Sequence, residues 1–137
     1  VYKRQIHFNI LNGLINLDDS ELVNDNIGSL KLKNSNFFLQ DDNLILNTIL
    51  YFDIKNSNRL FSFLNTNKRI RKTIKNIKIN INYDFLNNEI EFNNVKIDNN
   101  ETSQQFMNII DGFKDNDLNN LIKSRRLLNE LMAAYEG

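Results

Sequence analysis

The sequence predicts an α+β fold: a mostly antiparallel, curved β-sheet in a meander with an open, groove-like face, one short crossover helix and two C-terminal helices. Apolar and polar residues alternate with a period of two over most of residues 1–101, which is typical of half-buried strands. The spacing becomes helical near 57–66 and again over 102–137. We therefore expect a single domain in which 1–101 form the sheet and 102–137 form helices that cap it.

The first expected element is a hairpin. Residues 2–11 alternate between apolar and polar side chains, which predicts a half-buried strand. The apolar face of this strand carries Ile6, Phe8 and Ile10. Asn12-Gly13 comes next and tolerates the positive φ angles of a type I′ turn, so residues 14–17 are expected to return as the second strand.

Polar turns separate the next strands. Residues 28–34 alternate with their leucines inward, and 36–40 are expected to continue the sheet. After the turn at 41–43, residues 44–54 have apolar side chains of both parities. This long strand should therefore lie in the centre of the sheet or beneath a covering segment.

The middle of the chain predicts a crossover helix followed by the clearest strand. Leu60, Phe61 and Leu64 share one face at helical spacing within 57–66. Residues 73–84 then form the clearest predicted strand. The inward face of that strand carries Thr73, Lys75, Ile77, Ile79, Ile81 and Tyr83.

The last strand, over 89–98, requires a β-bulge. Ile90 and Phe92 share one parity, whereas Val95 and Ile97 share the other. One extra residue at Asn93-Asn94 would bring both pairs to the core, which is what a bulge does.

Two helices are expected to end the chain. Thr102 to Gln105 has the form of a capping box, and Phe106, Ile110 and Phe113 follow at helical spacing. A second helix should begin near 115–117, where carboxylates complement the helix dipole. Its inward face would carry Leu118, Leu121, Ile122, Leu128, Leu131, Met132 and Tyr135.

Composition limits the functions open to the chain. The net charge is +0, so bulk electrostatics indicate no partner, and nucleic acid is not expected. The absence of Cys excludes disulfides and thiol catalysis. No apolar run reaches the roughly 18–20 residues that span a bilayer, so we expect no transmembrane segment in this piece. Because the chain begins at Val1, we interpret it as a fragment of a longer protein.

The sequence contains no recognisable catalytic constellation. His7 is the single histidine and lies on the polar face of a predicted strand, which favours a structural role. The four glycines are isolated, so no phosphate-binding loop is present. We therefore expect a protein that is not an enzyme, with no catalytic residues and no cofactor.

Two short motifs are better explained without a ligand. Residues 115–119 imitate the start of a calcium loop, but Asn120 and Arg126 stand where the loop needs Gly and Glu. We therefore expect no metal there, and helix capping accounts for the acids. The triplet 100–102 matches a glycosylation sequon, which arises easily in an Asn-rich chain.

Two groups of residues remain as candidates for binding. An apolar stripe would either line a groove for acyl chains or form the core, and the stripe alone favours the core. It consists of Ile77, Ile79, Ile81 and Tyr83. A basic cluster within 68–78 would contact anionic headgroups or a nucleic-acid backbone, or form a solvated strand edge, which is the favoured interpretation. Its leading residues are Lys68, Arg69, Arg71 and Lys72.

Three runs of sequence resemble the AsmA-like proteins of AT-rich Gram-negative bacteria. They are 28–53, 77–98 with its phrase Ile-Asn-Tyr-Asp-Phe, and 118–137, which ends Leu-Met-Ala-Ala-Tyr-Glu-Gly. The resemblance implies a large periplasmic protein anchored in the inner membrane, whose repeated β-segments build a long groove. It implies roles in outer-membrane biogenesis and phospholipid transport, with phospholipid acyl chains or envelope proteins as partners, and it implies no catalytic residues. This piece would be the C-terminal module that ends the groove.

Other classes of function remain open. The chain could be an interaction module from an unrelated AT-rich eukaryote or virus that binds a polyanion through the basic cluster at 68–78. An enzyme is the third class, and the acid, base and nucleophile that it would need are not visible in the sequence.

Overall fold

The computed structural model describes residues 2–11, 14–100, 103–114 and 118–137. The fold is α+β, with an open six-stranded antiparallel sheet, a two-stranded sheet and three helices, which confirms the predicted class. The strands are β1 (Tyr2–Gln5), β2 (Asn9–Leu11), β3 (Leu14–Asn16), β4 (Glu21–Asn24), β5 (Gly28–Gln40), β6 (Asn43–Ile54), β7 (Asn76–Asp84) and β8 (Glu89–Ile97). The helices are α1 (Ser57–Leu64), α2 (Gln104–Asp111) and α3 (Asn120–Ala134), and Lys68–Ile70 form a 3₁₀ turn.

The large sheet has the order β1-β4-β5-β6-β7-β8, and β2 pairs with β3 in the small sheet. The predicted strand over 2–11 is therefore divided into β1 and β2, and β4 was not anticipated. Ile6, Phe8 and Ile10 do not face the core, which corrects the prediction for that strand: all three are exposed, Ile6 to 81%. The predicted turn at Asn12-Gly13 lies outside the described residues.

Polar side chains bridge the strands where their ladders are interrupted. The Ser20 hydroxyl accepts a hydrogen bond from the backbone N–H of His7 at 3.0 Å and donates one to the His7 carbonyl at 3.2 Å. The Asp18 carboxylate accepts hydrogen bonds from the hydroxyl and the backbone N–H of Ser35, both at 2.6 Å. The Thr48 hydroxyl donates to the Lys33 carbonyl at 3.1 Å. Backbone groups that leave the ladders thus keep partners, as burial requires.

We call the four bridging residues the polar crease. They are Asp18, Ser20, Ser35 and Thr48. Ser20, Ser35 and Thr48 are buried. The β5–β6 register shifts between Lys33 and Asn36, next to Ser35, so the crease coincides with an irregularity in the longest strand.

The predicted bulge in β8 is confirmed. Asn80 pairs with Asn94 whereas Ile81 pairs with Phe92, so Asn93 is the extra residue. Phe92 on one side of the bulge and Val95 on the other are both buried. The bulge therefore serves the core as the parity of the sequence indicated.

The core lies between strands β6–β8 and the helices. Its largest fully buried side chains include Phe61 of α1, Ile110 of α2, and Leu127 and Leu131 of α3. Ile77, Ile79 and Ile81 belong to the same cluster. Two residues of α3 that were expected to face inward, Leu121 and Ile122, are exposed. Leu127, which was not predicted to face inward, is fully buried.

Each helix has a polar N-cap. Asn56 caps α1 by accepting from the Arg59 N–H at 3.1 Å, and Asn65 ends that helix in the left-handed conformation. Ser103 caps α2, whereas Thr102 of the predicted capping box lies outside the described residues. Helix α3 begins after its cap Asn119, and residues 115–117, where the start was expected, are likewise outside the described residues.

Side chains of α3 bind the carbonyl end of α1. Arg125 Nε donates to the Leu64 carbonyl at 2.8 Å, and Asn129 Nδ2 donates to the same carbonyl at 3.2 Å. Asn129 also accepts a hydrogen bond from the Thr66 hydroxyl at 2.5 Å. These bonds satisfy carbonyls that a helix end leaves free and hold α1 and α3 together as one cover.

Gly28 is required at the start of β5. Its φ is +143°, and a Cβ there would lie 2.0 Å from the carbonyl oxygen of Asp53. We expect Gly28→Ala to lower the free energy of unfolding by about 2–6 kcal/mol, since backbone strain and overpacking each cost roughly 1–3 kcal/mol. Urea titration measures this. Gly112→Ala is the control, because Gly112 has a right-handed helical conformation, and this substitution should cost less than about 1 kcal/mol. Equal losses of stability in the two variants would contradict the requirement for glycine at position 28.

The crease also predicts acid sensitivity. Burial raises the pKa of the Asp18 carboxyl, but hydrogen bonds from Ser35 and Asn16 outweigh it and hold the pKa below its usual value. The ionised carboxylate therefore stabilises the fold above the pKa of the unfolded chain, about 3.9, and this stability is lost as the pH falls through the lower folded pKa.

We expect Asp18→Asn to be less stable than wild type at pH 7, by about 1–3 kcal/mol, and to lose less stability on acidification, because a hydrogen bond to a charged group is lost. Urea titrations at neutral pH and below about pH 4 measure both effects. Asp19→Asn is the matched control, since the Asp19 side chain is exposed and makes no hydrogen bond in the described structure. If the two variants respond alike, the Asp18–Ser35 bonds do not stabilise the sheet.

Candidate functional site

An apolar pocket opens where the sheet extends beyond α1. Its volume is about 130 Å³. Its apolar wall is formed by Leu22, Ile27, Leu30, Phe52, Ile54, Leu60 and Phe63. Phe63 belongs to α1 but is 59% exposed, so it forms a lip of the pocket instead of part of the core.

The pocket continues the apolar face of the core. Residues that pair across the sheet share a face, and one such row crosses all six strands. It runs Arg4, Leu22, Leu30, Phe52, Ile77 and Ile97. Ile77 and Ile97 are buried, whereas Leu22, Leu30 and Phe52 are only partly buried. The helical cover therefore ends in the middle of the row, and the pocket begins there.

A cation ends the row. Arg4 is exposed and pairs with Leu22, so its side chain shares the face of the pocket. Lys3, its neighbour on β1, pairs with Val23 and projects from the other face. The row that supplies the apolar wall of the pocket therefore ends in one positive charge on the edge strand, beyond the residues that line the pocket. An apolar wall followed along the same face by a cation suits an amphiphile with an apolar body and an anionic head.

The predicted apolar stripe does not line this pocket. Ile77, Ile79 and Ile81 lie beneath the helices, each at most 5% exposed, so the structure places them in the core and not in an open groove. Tyr83 is partly buried near the end of β7, where its ring meets Phe85 edge-on with centroids 4.9 Å apart. The isoleucines of the stripe lie on the apolar face of the sheet, but α1 and α3 cover this part of the face.

The basic cluster is divided between two roles. Arg71 donates through Nε and a terminal nitrogen to the Thr66 carbonyl at 3.1 and 3.0 Å, and Lys72 donates to the Tyr135 carbonyl. Arg71 therefore holds the segment after α1 together, and Lys72 joins this segment to the end of α3. Lys68 and Arg69 lie on the exposed part of the 3₁₀ turn. The structure does not bring the four cations together around one pocket.

Tyr135 fixes the end of α3 to the sheet. Its hydroxyl donates to Asp98 Oδ2 at 3.0 Å, and Asp98 Oδ1 accepts from the backbone N–H groups of Lys75 and Asn76. Burial, followed by the hydrogen bond and the charge of Asp98, raises the pKa of the Tyr135 phenol. The phenol therefore stays protonated and serves as a structural donor.

The described residues offer little for metal or acid–base chemistry. His7 is exposed, and only its backbone groups bond to Ser20. Across the described ranges, no three His, Cys, Asp or Glu side chains are grouped so that they could hold a metal ion. None of the helices in the described part of the chain is long and apolar enough to cross a membrane.

Comparison with known proteins identifies no relative. No protein-family model, curated protein or solved structure matches the chain.

Sequence reasoning missed the pocket for a specific reason. Leu22 belongs to β4, a strand of four residues that was not predicted, and Ile27 lies in the turn that follows it. Residues 21–24, Glu-Leu-Val-Asn, do not alternate, so the available signal was Gly28, a residue that a strand start with positive φ requires. Which part of the apolar face the helices leave uncovered is a property of tertiary packing.

Proposed function

We propose that the chain is a non-enzymatic, lipid-handling module at the C-terminal end of an AsmA-like cell-envelope protein. In this proposal the parent protein is anchored in the inner membrane and extends through the periplasm, where it takes part in outer-membrane biogenesis and in phospholipid transport between membranes. The family and the compartment rest on the resemblance of residues 28–53, 77–98 and 118–137 to such proteins.

The observation that supports lipid handling is the apolar pocket beside α1. A cavity of about 150 Å³ lined by Leu, Ile and Phe stays dry and takes up small apolar molecules, and this pocket has a similar volume of about 130 Å³ and a similar lining. It is below the roughly 300–1,000 Å³ of a site for a complete small ligand. It therefore fits part of an acyl chain, as the end of a longer groove would.

The charge at the end of the cross-strand row supports the same proposal. Arg4 is the one charged residue in the cross-strand row of the pocket. A guanidinium binds phosphate oxygens through paired donors, so it suits the headgroup of a phospholipid whose acyl chain occupies the pocket.

A charge placed in the pocket should prevent lipid uptake. We expect Leu22→Glu to reduce the binding of a fluorescent fatty-acid probe at least about tenfold, because a carboxylate would have to be desolvated there. Probe titration followed by fluorescence measures the change. Val23→Glu is the matched control, since Val23 is the next residue of β4 and projects from the opposite face. Unchanged binding in Leu22→Glu, or no probe binding by the wild type, would remove the lipid proposal.

Arg4 should make binding sensitive to the charge of the headgroup. We expect Arg4→Gln to weaken binding to vesicles that contain anionic phospholipid by a few-fold, since one basic residue near an anionic surface contributes about 1 kcal/mol. Binding to purely zwitterionic vesicles should change little, and co-sedimentation measures both. Lys3→Gln provides the comparison on the other face of β1. If the two substitutions weaken vesicle binding equally, Arg4 does not bind the headgroup from the face of the pocket.

A further inference from the structure

A buried lysine lines a pocket at the edge of the sheet where α3 begins. Asn120 holds that helix against β8, because its side chain donates to the Asn88 carbonyl at 2.7 Å and accepts from the Ile90 N–H at 3.2 Å. Lys123 follows Asn120 by three residues, so the two side chains lie on the same side of α3. Only 6% of Lys123 is exposed, yet it lines a pocket of about 230 Å³ together with residues of β6, β7 and β8.

The ammonium group of Lys123 has no partner within the described part of the chain. It forms neither a salt bridge nor a side-chain hydrogen bond there. The second lysine of the pocket differs, since Lys114 pairs with Asp111 at 2.7 Å. A buried charge without a partner is costly, so Lys123 is the group of this pocket that requires an anion.

The same pocket carries an excess of negative charge. Its carboxylates form no salt bridge among the residues that the structure describes, and they belong to Asp41, Asp84, Glu89 and Glu91. Asp84 accepts hydrogen bonds within its own turn, but these bonds leave its charge unpaired. Asp84 and Glu89 are also directly paired across β7 and β8, and like charges in such a pair repel each other. The carboxylates therefore require cations, whereas Lys123 requires an anion.

The rest of the lining sets the size and polarity of a ligand. Ile45 and Ile90 offer apolar contacts, and Asn43 and Asn82 offer side-chain amides. The volume of about 230 Å³ is below the roughly 300–1,000 Å³ of a site for a drug-sized molecule. The pocket therefore fits a molecule of the size of an amino acid.

We propose that this pocket binds a small ligand with one carboxylate and two cationic groups, the charge pattern of a dibasic α-amino acid. The ligand carboxylate pairs with Lys123, and its cationic groups pair with the carboxylates of the pocket. A simple cation would leave Lys123 without an anion, and a simple anion would be repelled by the four carboxylates. In the described ranges the acids are not grouped so that three of them could hold a metal ion. The pocket shares no residue with the apolar pocket beside α1, so this site goes beyond lipid handling.

The test compares three small molecules that differ in their charged groups. L-lysine has the carboxylate and both ammonium groups, 1,5-diaminopentane lacks the carboxylate, and L-norleucine lacks the side-chain ammonium. We expect L-lysine to bind the full chain at least about tenfold more tightly than either analogue, because each analogue leaves a charged group of the pocket without a partner. Isothermal titration calorimetry measures the three affinities.

Two substitutions separate the ammonium from the carboxylates. Lys123→Met keeps an unbranched side chain and removes the charge, so it should weaken L-lysine binding at least about tenfold and strengthen the binding of 1,5-diaminopentane. Glu89→Gln should weaken the binding of both molecules several-fold. Lys96→Met and Glu130→Gln are the matched controls, because neither side chain lines the pocket, and they should leave the affinities unchanged. Circular dichroism checks that the variants fold.

The comparison of the three molecules on the wild-type chain tests the proposal even where a variant does not fold. The proposal is overturned if L-lysine does not bind, or if 1,5-diaminopentane binds as tightly as L-lysine, since the acids alone would then bind cations. It is also overturned if folded Lys123→Met binds L-lysine as the wild type does. Fatty-acid probe binding tests the lipid-handling proposal independently of these outcomes, because the two pockets have no residue in common.

Discussion

The structure depends on a mismatch in length between its strands and its helices. Strand β5 has 13 residues and spans about 43 Å, whereas the longest helix, α3, has 15 residues and spans only about 22 Å. Three helices of this size cannot cover one face of six strands. They cover β6–β8 on one side of the sheet and leave the same face open beside β4 and β5, where Leu60 and Phe63 of α1 form one wall of the pocket.

The polar crease supplies hydrogen-bond partners where the longest ladder of the sheet is interrupted. This interruption lies in the β5–β6 ladder between Lys33 and Asn36. Ser35 lies at that interruption and bonds to Asp18, while Thr48 satisfies the carbonyl of Lys33. Because buried backbone groups without partners are costly, these three side chains make the irregularity tolerable. The apolar row that ends in the pocket crosses β5 and β6 on one side of this interruption, where Leu30 pairs with Phe52.

Local pattern was enough to predict the elements whose own residues decide their structure. The alternation of residues 76–84, the parity change at Asn93-Asn94 and the helical spacing of Leu60, Phe61 and Leu64 correspond to observed elements. The prediction for 73–75 was wrong: these residues precede the strand, Thr73 and Lys75 are exposed, and Ile74 is the buried one. The prediction was wrong where packing against another element decides whether a side chain is buried. Ile6 alternates like a buried residue, yet no layer covers it, and Leu121 has helical spacing but lies beyond the edge of the core. The pocket could not be predicted because it combines side chains from separate strands and from α1.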